Sequence, residues 1–436
     1  MAFFVNIGYN FKQPASIAPD GSVILASAMP MHQLERRKSY NEYPHMQRRL
    51  FDPQLYLAGL DAAASVEHCT KLASYAWFGV AGIPKFSSGK YSQPEWAAAA
   101  KAKTPAVWPR TAPTDAALIP NLVKDCVDLQ VRIGCEAVIL PSPLTADPGT
   151  TYGDELMWLD AGLEYCHDLN GFDRPIYATV ALADVCVRYS DPPRNPLLEL
   201  ILDTVSARGI QGVYIVLEQG SEPSDTRQCG NTRGLWSILH LAHVFGTEAR
   251  LRVGVNFMGA FGLACEAAGA SWWASNWYKS LYRLRLADKL GGGRSYPLYW
   301  TYPGAIDVHL ETEFGRLAAA PKGLLLKMED QTTASAALLR AASLGTPVGR
   351  VPGWRYAQGN VGQSIEHYLL SVTGAEQRLS VLTGKDRPNH VQDWLERALA
   401  FVPAVASTLG TSRRTKTDHV LAWRDAFLAY RQDHKV

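Results

Sequence analysis

The sequence predicts an α/β protein built on a (β/α)8 TIM-like barrel, with an insertion and a C-terminal helical region. Short apolar runs alternate with amphipathic helical segments, and the runs are evenly spaced. The runs that begin near residues 137, 175, 212 and 251 recur at intervals of about 38 residues, which is typical of successive β-α units. A doubly wound open sheet is the alternative, and the absence of G-x-G-x-x-G in the first turns argues against its dinucleotide-binding versions.

Eight apolar runs predict the strands of this barrel. Most of them are apolar throughout and show no alternation, which is the pattern of a strand covered on both faces. The runs are residues 22–28, 49–57, 136–144, 175–183, 212–219, 251–257, 271–275 and 323–328.

Amphipathic helices are predicted between the strands and after them. Residues 195–209 and 232–246 carry apolar side chains at helical spacing and end in glycine, which suits a C-terminal cap. After about residue 330 the strand signals fade and helical patterns dominate. We therefore expect a barrel over residues 1–344 and a helical C-terminal region over residues 345–436.

One segment interrupts the repeat of strands and helices. Residues 82–115 are rich in Pro, Ser, Lys and Ala, which indicates an insertion after an early strand. Such an insertion is either a lid or partner surface, or a solvated loop.

Composition excludes several classes of protein. The net charge of +2 over 436 residues gives no global attraction to nucleic acid or to an acidic membrane. Seven scattered cysteines, with no C-x-x-C pair, favour reduced thiols and a cytoplasmic location. No window approaches the 18 consecutive apolar residues of a membrane span, and the start of the chain does not resemble a signal peptide. We expect no membrane association.

Candidate site residues are read from the strand ends, because active sites of barrels lie at the carboxyl ends of the strands. Asp52 and Glu218 each follow an apolar run, where burial raises a carboxyl pKa and suits it to acid-base or nucleophilic work. The alternative is a buried carboxylate that caps the next helix. The other polar residues chosen at strand ends are Gln54, Gln219, Asn256, Asn276 and Lys327.

A glycine loop and an aromatic cluster follow the seventh predicted run. Gly259 and Gly262 open a short helix, a place where backbone N–H groups bind anions, although glycines also serve close packing. Trp272 and Trp273 lie in a strand and must point to opposite faces. Trp277 and Tyr278 lie beyond that strand, where we expect a ring to cover a base or a sugar.

We expect no metal site. The pair His240 and His243 has i, i+3 spacing on a helix, but no third ligand lies near it in the sequence. Asp307 and His309 form either an Asp-His pair or the edge of a strand. The sequence identifies no cofactor.

The stretch "GVNFMGAFGLACEAAGASWWASNWYKSLYRLR" and the early "FDPQ" together resemble, in layout, the tRNA-guanine transglycosylase-type barrels. In that family an early strand ends in Asp, and a late glycine loop and short helix precede a further strand. This chain has Trp273 and Asn276 near the place of the family's nucleophilic carboxylate, and it lacks the C-x-C-x-x-C zinc motif. The resemblance implies a barrel shaped for a nucleoside or base, with Asp52 as the surviving carboxylate.

Two functions follow as hypotheses. The first is an enzyme that acts on a nucleotide-, nucleoside- or sugar-like substrate by glycosyl transfer or hydrolysis, with Asp52 or Glu218 as nucleophile or acid-base group. The second is a non-catalytic, barrel-derived subunit that binds protein or nucleic-acid partners in a larger assembly. The lack of any complete catalytic motif favours the second.

Overall fold

The computed structural model describes residues 2–8, 17, 19–36, 43–60, 65–79, 111–223, 225–288, 295–320, 331–411 and 413–436. Eight parallel strands form a nearly closed barrel with flanking helices, which confirms the predicted fold class. The strands are β1 (Ala2–Ile7), β2 (Gly21–Leu25), β3 (Arg49–Asp52), β4 (Val138–Ile139), β5 (Ile176–Ala183), β6 (Gly212–Glu218), β7 (Arg252–Asn256) and β8 (Trp272–Ser275).

Strand β1 was not among the predicted strands. Its residues AFFVNI are all buried, and it pairs in parallel with β2 on one side and β8 on the other. In these ladders Phe4 is the partner of both Gly21 and Ala274. β1 takes the eighth place in the barrel, and the predicted run at 323–328 lies outside the described residues.

The barrel is joined most weakly between β3 and β4. There the backbone N–H of Glu136 donates to the carbonyl oxygen of Arg49 at 2.9 Å, and the Arg49 Nε donates to the carbonyl of Ile133 at 2.6 Å. The run predicted over residues 136–144 yields only the two residues of β4. Pro141 and Pro143 follow, and proline has no N–H for a strand ladder.

Helices surround the barrel, and two of them begin at side-chain caps. The Asn195 Oδ1 accepts from the N–H of Leu197 at 3.0 Å, and the Asn231 Oδ1 accepts from that of Gly234 at 2.9 Å. The helices of the described residues are α1 (Met31–Arg36), α2 (Val66–Leu72), α3 (Ile119–Arg132), α4 (Gly153–Asp168), α5 (Pro196–Ser206), α6 (Thr232–His243), α7 (Gly262–Ala267), α8 (Lys279–Tyr282), α9 (Gly315–Ala318), α10 (Ala336–Ser343), α11 (Gly362–Ser380), α12 (Asp386–Leu409) and α13 (Asp418–His434).

The C-terminal helices pack on the barrel and on a small hairpin. This hairpin consists of β9 (Leu298–Thr301) and β10 (Ile306–His309), which pair antiparallel. Buried indole groups anchor the helices. The Trp394 Nε1 of α12 donates to the carbonyl of Tyr302 at 2.7 Å, and the Trp423 Nε1 of α13 donates to the carbonyl of Cys229 at 2.9 Å. The helical C-terminal region is therefore an integral layer of the fold.

The two tryptophans of β8 point to opposite faces, as strand geometry predicts. The Trp272 ring lies inside the barrel and stacks on Tyr214 and Phe4, with centroid distances of 5.8 and 5.1 Å. The Trp273 ring faces the helical layer and contacts Phe3 at 4.6 Å. A Cβ atom on Gly254 would lie 2.0 Å from the Trp272 ring, so this position in β7 has room only for glycine.

Three further features named in the sequence analysis are a membrane span, the insertion and the cysteines. None of the helices in the described residues is long and apolar enough to cross a membrane. The greater part of the predicted insertion, residues 82–110, lies outside the described residues. All seven cysteines lie within them, and each is buried.

Candidate functional site

Asp52 ends β3 and is fully buried inside the barrel. Pro53 stops the strand, and Gln54 adopts a φ of 53° that turns its N–H back to the Asp52 Oδ1 at 3.0 Å. The Asp52 Oδ2 accepts from the hydroxyl of Tyr56 at 2.5 Å and from that of Tyr214 at 2.7 Å. These three partners all donate, which matches an ionised carboxylate, since that group can only accept.

Tyr214 extends these contacts into a hydrogen-bond network across the barrel. Its hydroxyl oxygen accepts from the Asn256 Nδ2 at 2.6 Å, and the Asn256 Oδ1 accepts from the Asn6 Nδ2 at 2.7 Å. The Asn6 carbonyl accepts from the Asn276 Nδ2 at 2.7 Å. The structure thus brings three predicted residues, Asp52, Asn256 and Asn276, into one buried network.

Several amide groups around this network keep an unpaired atom. The Gln54 Oε1 accepts from the N–H of Ser27 at 2.8 Å, and the Gln219 Nε2 donates to the carbonyl of Phe257 at 3.3 Å. The opposite ends, Gln54 Nε2 and Gln219 Oε1, have no hydrogen-bond partner in the described part of the chain, and neither has the Asn6 Oδ1. A buried unpaired polar atom costs about 1–3 kcal/mol, so these atoms are suited to pair with hydroxyl groups of a ligand or with water.

A second set of carboxylates lies at the ends of β5 and β6. Glu218, the last residue of β6, accepts from the N–H of Leu286 at 3.0 Å. Burial raises the pKa of the Glu218 carboxyl, and the charge of nearby Asp184 raises it further. Burial also raises the pKa of Glu222. Asp184 itself accepts from the N–H of Ser221 at 2.8 Å.

Residues 277–288, called here the cover segment, lie over this end of the barrel. Leu284 forms a parallel bridge with Glu218, and Arg283 forms an antiparallel bridge with Met258. The carbonyl of Leu281 accepts from the Asn6 Nδ2 at 3.0 Å. The cover segment thus lies over the carboxyl ends of β1, β6 and β7.

The two aromatic residues expected at the mouth differ in exposure. Trp277 is fully buried, with the Arg227 guanidinium 4.8 Å from its ring centroid. Arg227 also forms an ion pair with Asp307 at 3.2 Å, which supplies the Asp307 carboxylate with a charged partner. Tyr278 is 41% exposed. Of the two rings, only that of Tyr278 faces solvent.

Packing accounts for the two glycines of the late loop. Gly259 has a φ of +54°, and a Cβ atom there would lie 2.2 Å from the Tyr282 ring. A Cβ atom on Gly262 would lie 2.1 Å from the Trp273 ring. The helix that Gly262 begins, α7, has only six residues. We therefore assign both glycines to close packing.

The remaining predicted residue, Lys327, lies outside the described residues. Sequence reasoning missed three members of the network: Asn6, Tyr56 and Tyr214. Asn6 is a polar residue near the end of an apolar run, so the strand-end rule would have found it once β1 was recognised. Tyr214 lies in the middle of β6, where an aromatic residue gives no sign of a polar role.

Comparison with known proteins adds no family assignment. The scan of protein-family models and the search of curated proteins both find no match for this chain.

Proposed function

We propose that the barrel is an enzyme that cleaves or transfers the glycosidic bond of a sugar- or nucleoside-like substrate. Glu218 is the proton donor to the leaving group. Asp52 is the carboxylate that either stabilises the positive charge of the transition state or attacks the anomeric carbon as the bond to the leaving group breaks. The observation that carries the proposal is the contrast between the two carboxyl groups. Three donors surround Asp52, whereas burial raises the pKa of Glu218. Such a contrast separates an acid from a base or nucleophile in glycoside chemistry.

The position of Glu218 suits a proton donor. It ends a barrel strand, at the edge where barrel enzymes place their catalytic groups. The residue keeps 7% exposure, so it is nearly desolvated and still adjoins the surface. A raised pKa keeps a carboxyl protonated at a pH where it can transfer that proton to a leaving oxygen or base.

The surroundings of Asp52 suit a substrate rich in hydroxyl groups. The unpaired atoms of Gln54, Gln219 and Asn6 supply both donors and acceptors without a net charge. In this proposal the cover segment moves to admit the substrate, because Asp52 is fully buried when the segment is closed. The resemblance to transglycosylase-type barrels points to the same substrate class.

The test is a panel of aryl glycosides, nucleosides and nucleotides, with the released base or aglycone quantified by mass spectrometry. We expect at least one substrate to be cleaved, and expect Glu218→Gln and Asp52→Asn to reduce its rate by about 100-fold or more. Glu164→Gln, an exposed change on α4, is the matched control and keeps the wild-type rate. Circular dichroism confirms that the variants fold. Activity that survives both site changes overturns the assignment.

A second candidate, a non-catalytic barrel subunit, is favoured by the closed mouth. The cover segment forms bridges with the ends of β6 and with the loop after β7, and Trp272 fills the interior below. Light scattering on the co-expressed neighbouring gene products distinguishes the two functions. A stable hetero-complex together with no cleavage on the whole panel favours the subunit.

A further inference from the structure

A cluster of histidines lies at the junction between the barrel and the last helix. His240 and His243 occupy successive turns of α6, and His434 ends α13. A π-helical turn, Val244–Glu248, follows α6. It places the Glu248 side chain beside His243 and His434. The sequence pattern of α6 offers no third ligand near His240 and His243. The tertiary structure brings Glu248 and His434 beside them.

Three ligand atoms converge in this cluster. The His243 Nε2 lies 3.7 Å from the Glu248 Oε1, and the His434 Nδ1 lies 4.0 Å from the same oxygen. The ligand atoms of the three residues all lie within 4.8 Å of one another. Ligands of a tetrahedral zinc, each about 2.0–2.1 Å from the ion, lie roughly 3.3 Å apart. Small movements of the three side chains toward a common centre therefore complete the geometry.

In both His243 and His434, the ring nitrogen that faces away from Glu248 already has a hydrogen-bond partner. The His243 Nδ1 lies 3.0 Å from the hydroxyl of Tyr430, and the His434 Nε2 lies 3.0 Å from the His240 Nδ1. A proton on each of these outer nitrogens leaves a lone pair on His243 Nε2 and on His434 Nδ1, where the three ligand atoms converge. Metal-binding histidines are oriented in this way by their second hydrogen bond.

The cluster is open to solvent on one side. Glu248 is 59% exposed, which leaves room for a water as fourth ligand.

We propose that His243, Glu248 and His434 form a zinc site that fastens the C-terminal helix to the barrel. Two nitrogens and one oxygen form a ligand set that suits zinc and disfavours magnesium and calcium, which take oxygen ligands. The site lies where α6 returns to the start of β7, so it is at the amino ends of the strands, opposite to Asp52. Residues on this face of a barrel serve stability. The inference does not depend on the proposed enzymatic function.

The test is zinc binding by the purified full chain after treatment with a chelator. Competition with a chromophoric chelator measures affinity, and thermal unfolding with and without zinc measures the linkage to stability. We expect roughly one zinc per chain, an increase in Tm on adding zinc, and no effect of magnesium. Cobalt in place of zinc should give the visible absorption of a tetrahedral site.

Two variants assign the ligands. Glu248→Gln changes an exposed side chain and leaves the fold intact, and His434→Gln removes the ligand from α13. Each should weaken zinc binding by about tenfold or more and abolish the increase in Tm. His167→Gln, at an exposed histidine of α4, is the control and should bind zinc as the wild type does. A wild-type chain that binds no zinc, or a Glu248→Gln chain that binds it unchanged, overturns the proposal.

Discussion

The hydroxyl of Tyr214 donates to the Asp52 Oδ2 at 2.7 Å inside the barrel, although the two residues are 162 positions apart in the chain. This bond joins β6 to the end of β3. The same hydroxyl oxygen accepts from Asn256, so Tyr214 connects the buried carboxylate to the rest of the network.

Tyr214→Phe should destabilise the fold. It removes one donor from a fully buried carboxylate and leaves the Asn256 Nδ2 without this acceptor, and losses of this kind reduce the free energy of unfolding by about 1–3 kcal/mol. Urea denaturation followed by circular dichroism measures the change. Tyr189→Phe, at a tyrosine that is 71% exposed, is the control and should be neutral. Equal stability of the two variants would contradict the importance of the network.

Gly254→Ala should be strongly destabilising. The added Cβ would lie 2.0 Å from the Trp272 ring, and overpacking a rigid interior costs about 1–3 kcal/mol or more. Gly315→Ala at the start of α9 is the matched change, because a Cβ there meets nothing within 4 Å. It should leave the stability unchanged or raise it, since alanine favours helix. Thermal unfolding of both variants distinguishes a clash with the Trp272 ring from a general destabilising effect of replacing glycine by alanine.

Trp277→Ala should reduce stability by about 3–5 kcal/mol, because the fully buried ring would leave a large cavity. The sequence had suggested a ring that covers a ligand and contributes little to stability. Tyr278→Ala removes the exposed neighbour and should cost far less. Chemical denaturation compares the two. If both variants unfold at the wild-type denaturant concentration, the cover segment does not stabilise the barrel.

Glu266 makes stability depend on pH. Burial, and then the charge of Glu376 on α11, raise the pKa of this α7 carboxyl to about 8, while Arg387 on α12 opposes the shift. The folded-state pKa exceeds that of the unfolded chain, so the folded protein binds the extra proton. This contribution is full below about pH 4.3 and is lost as the pH rises through about 8.

Glu266→Gln should therefore flatten the decline of stability between pH 5 and pH 8 and stabilise the protein at pH 8. Denaturation at the two pH values measures the effect, which we expect to exceed about 1 kcal/mol at pH 8. Glu164→Gln, an exposed change on α4, serves as the control. A wild-type chain equally stable at both pH values would refute the assignment.

The sequence by itself determined much of the architecture. Apolar runs marked the strands from β2 to β8, because a strand covered on both faces has no polar side. The strand-end rule selected Asp52, Asn256 and Asn276, which share one network, since parallel strands bring their carboxyl ends to one rim. It selected Glu218 at the same rim. The strand pattern is a local feature of the sequence. The choice of strand-end residues follows from the fold class alone.

The tertiary structure decided what each of these residues contacts. Closure of the barrel placed β1 against β8, and it brought Tyr214 to Asp52 and Asn6 to Asn256. Docking of the last helix brought His434 to His240, 194 positions earlier in the chain. Such contacts depend on packing between distant segments, and no periodicity or spacing in either segment encodes them. The same packing buried Trp277, because a ring at the end of a strand is exposed or covered according to the chain that crosses it.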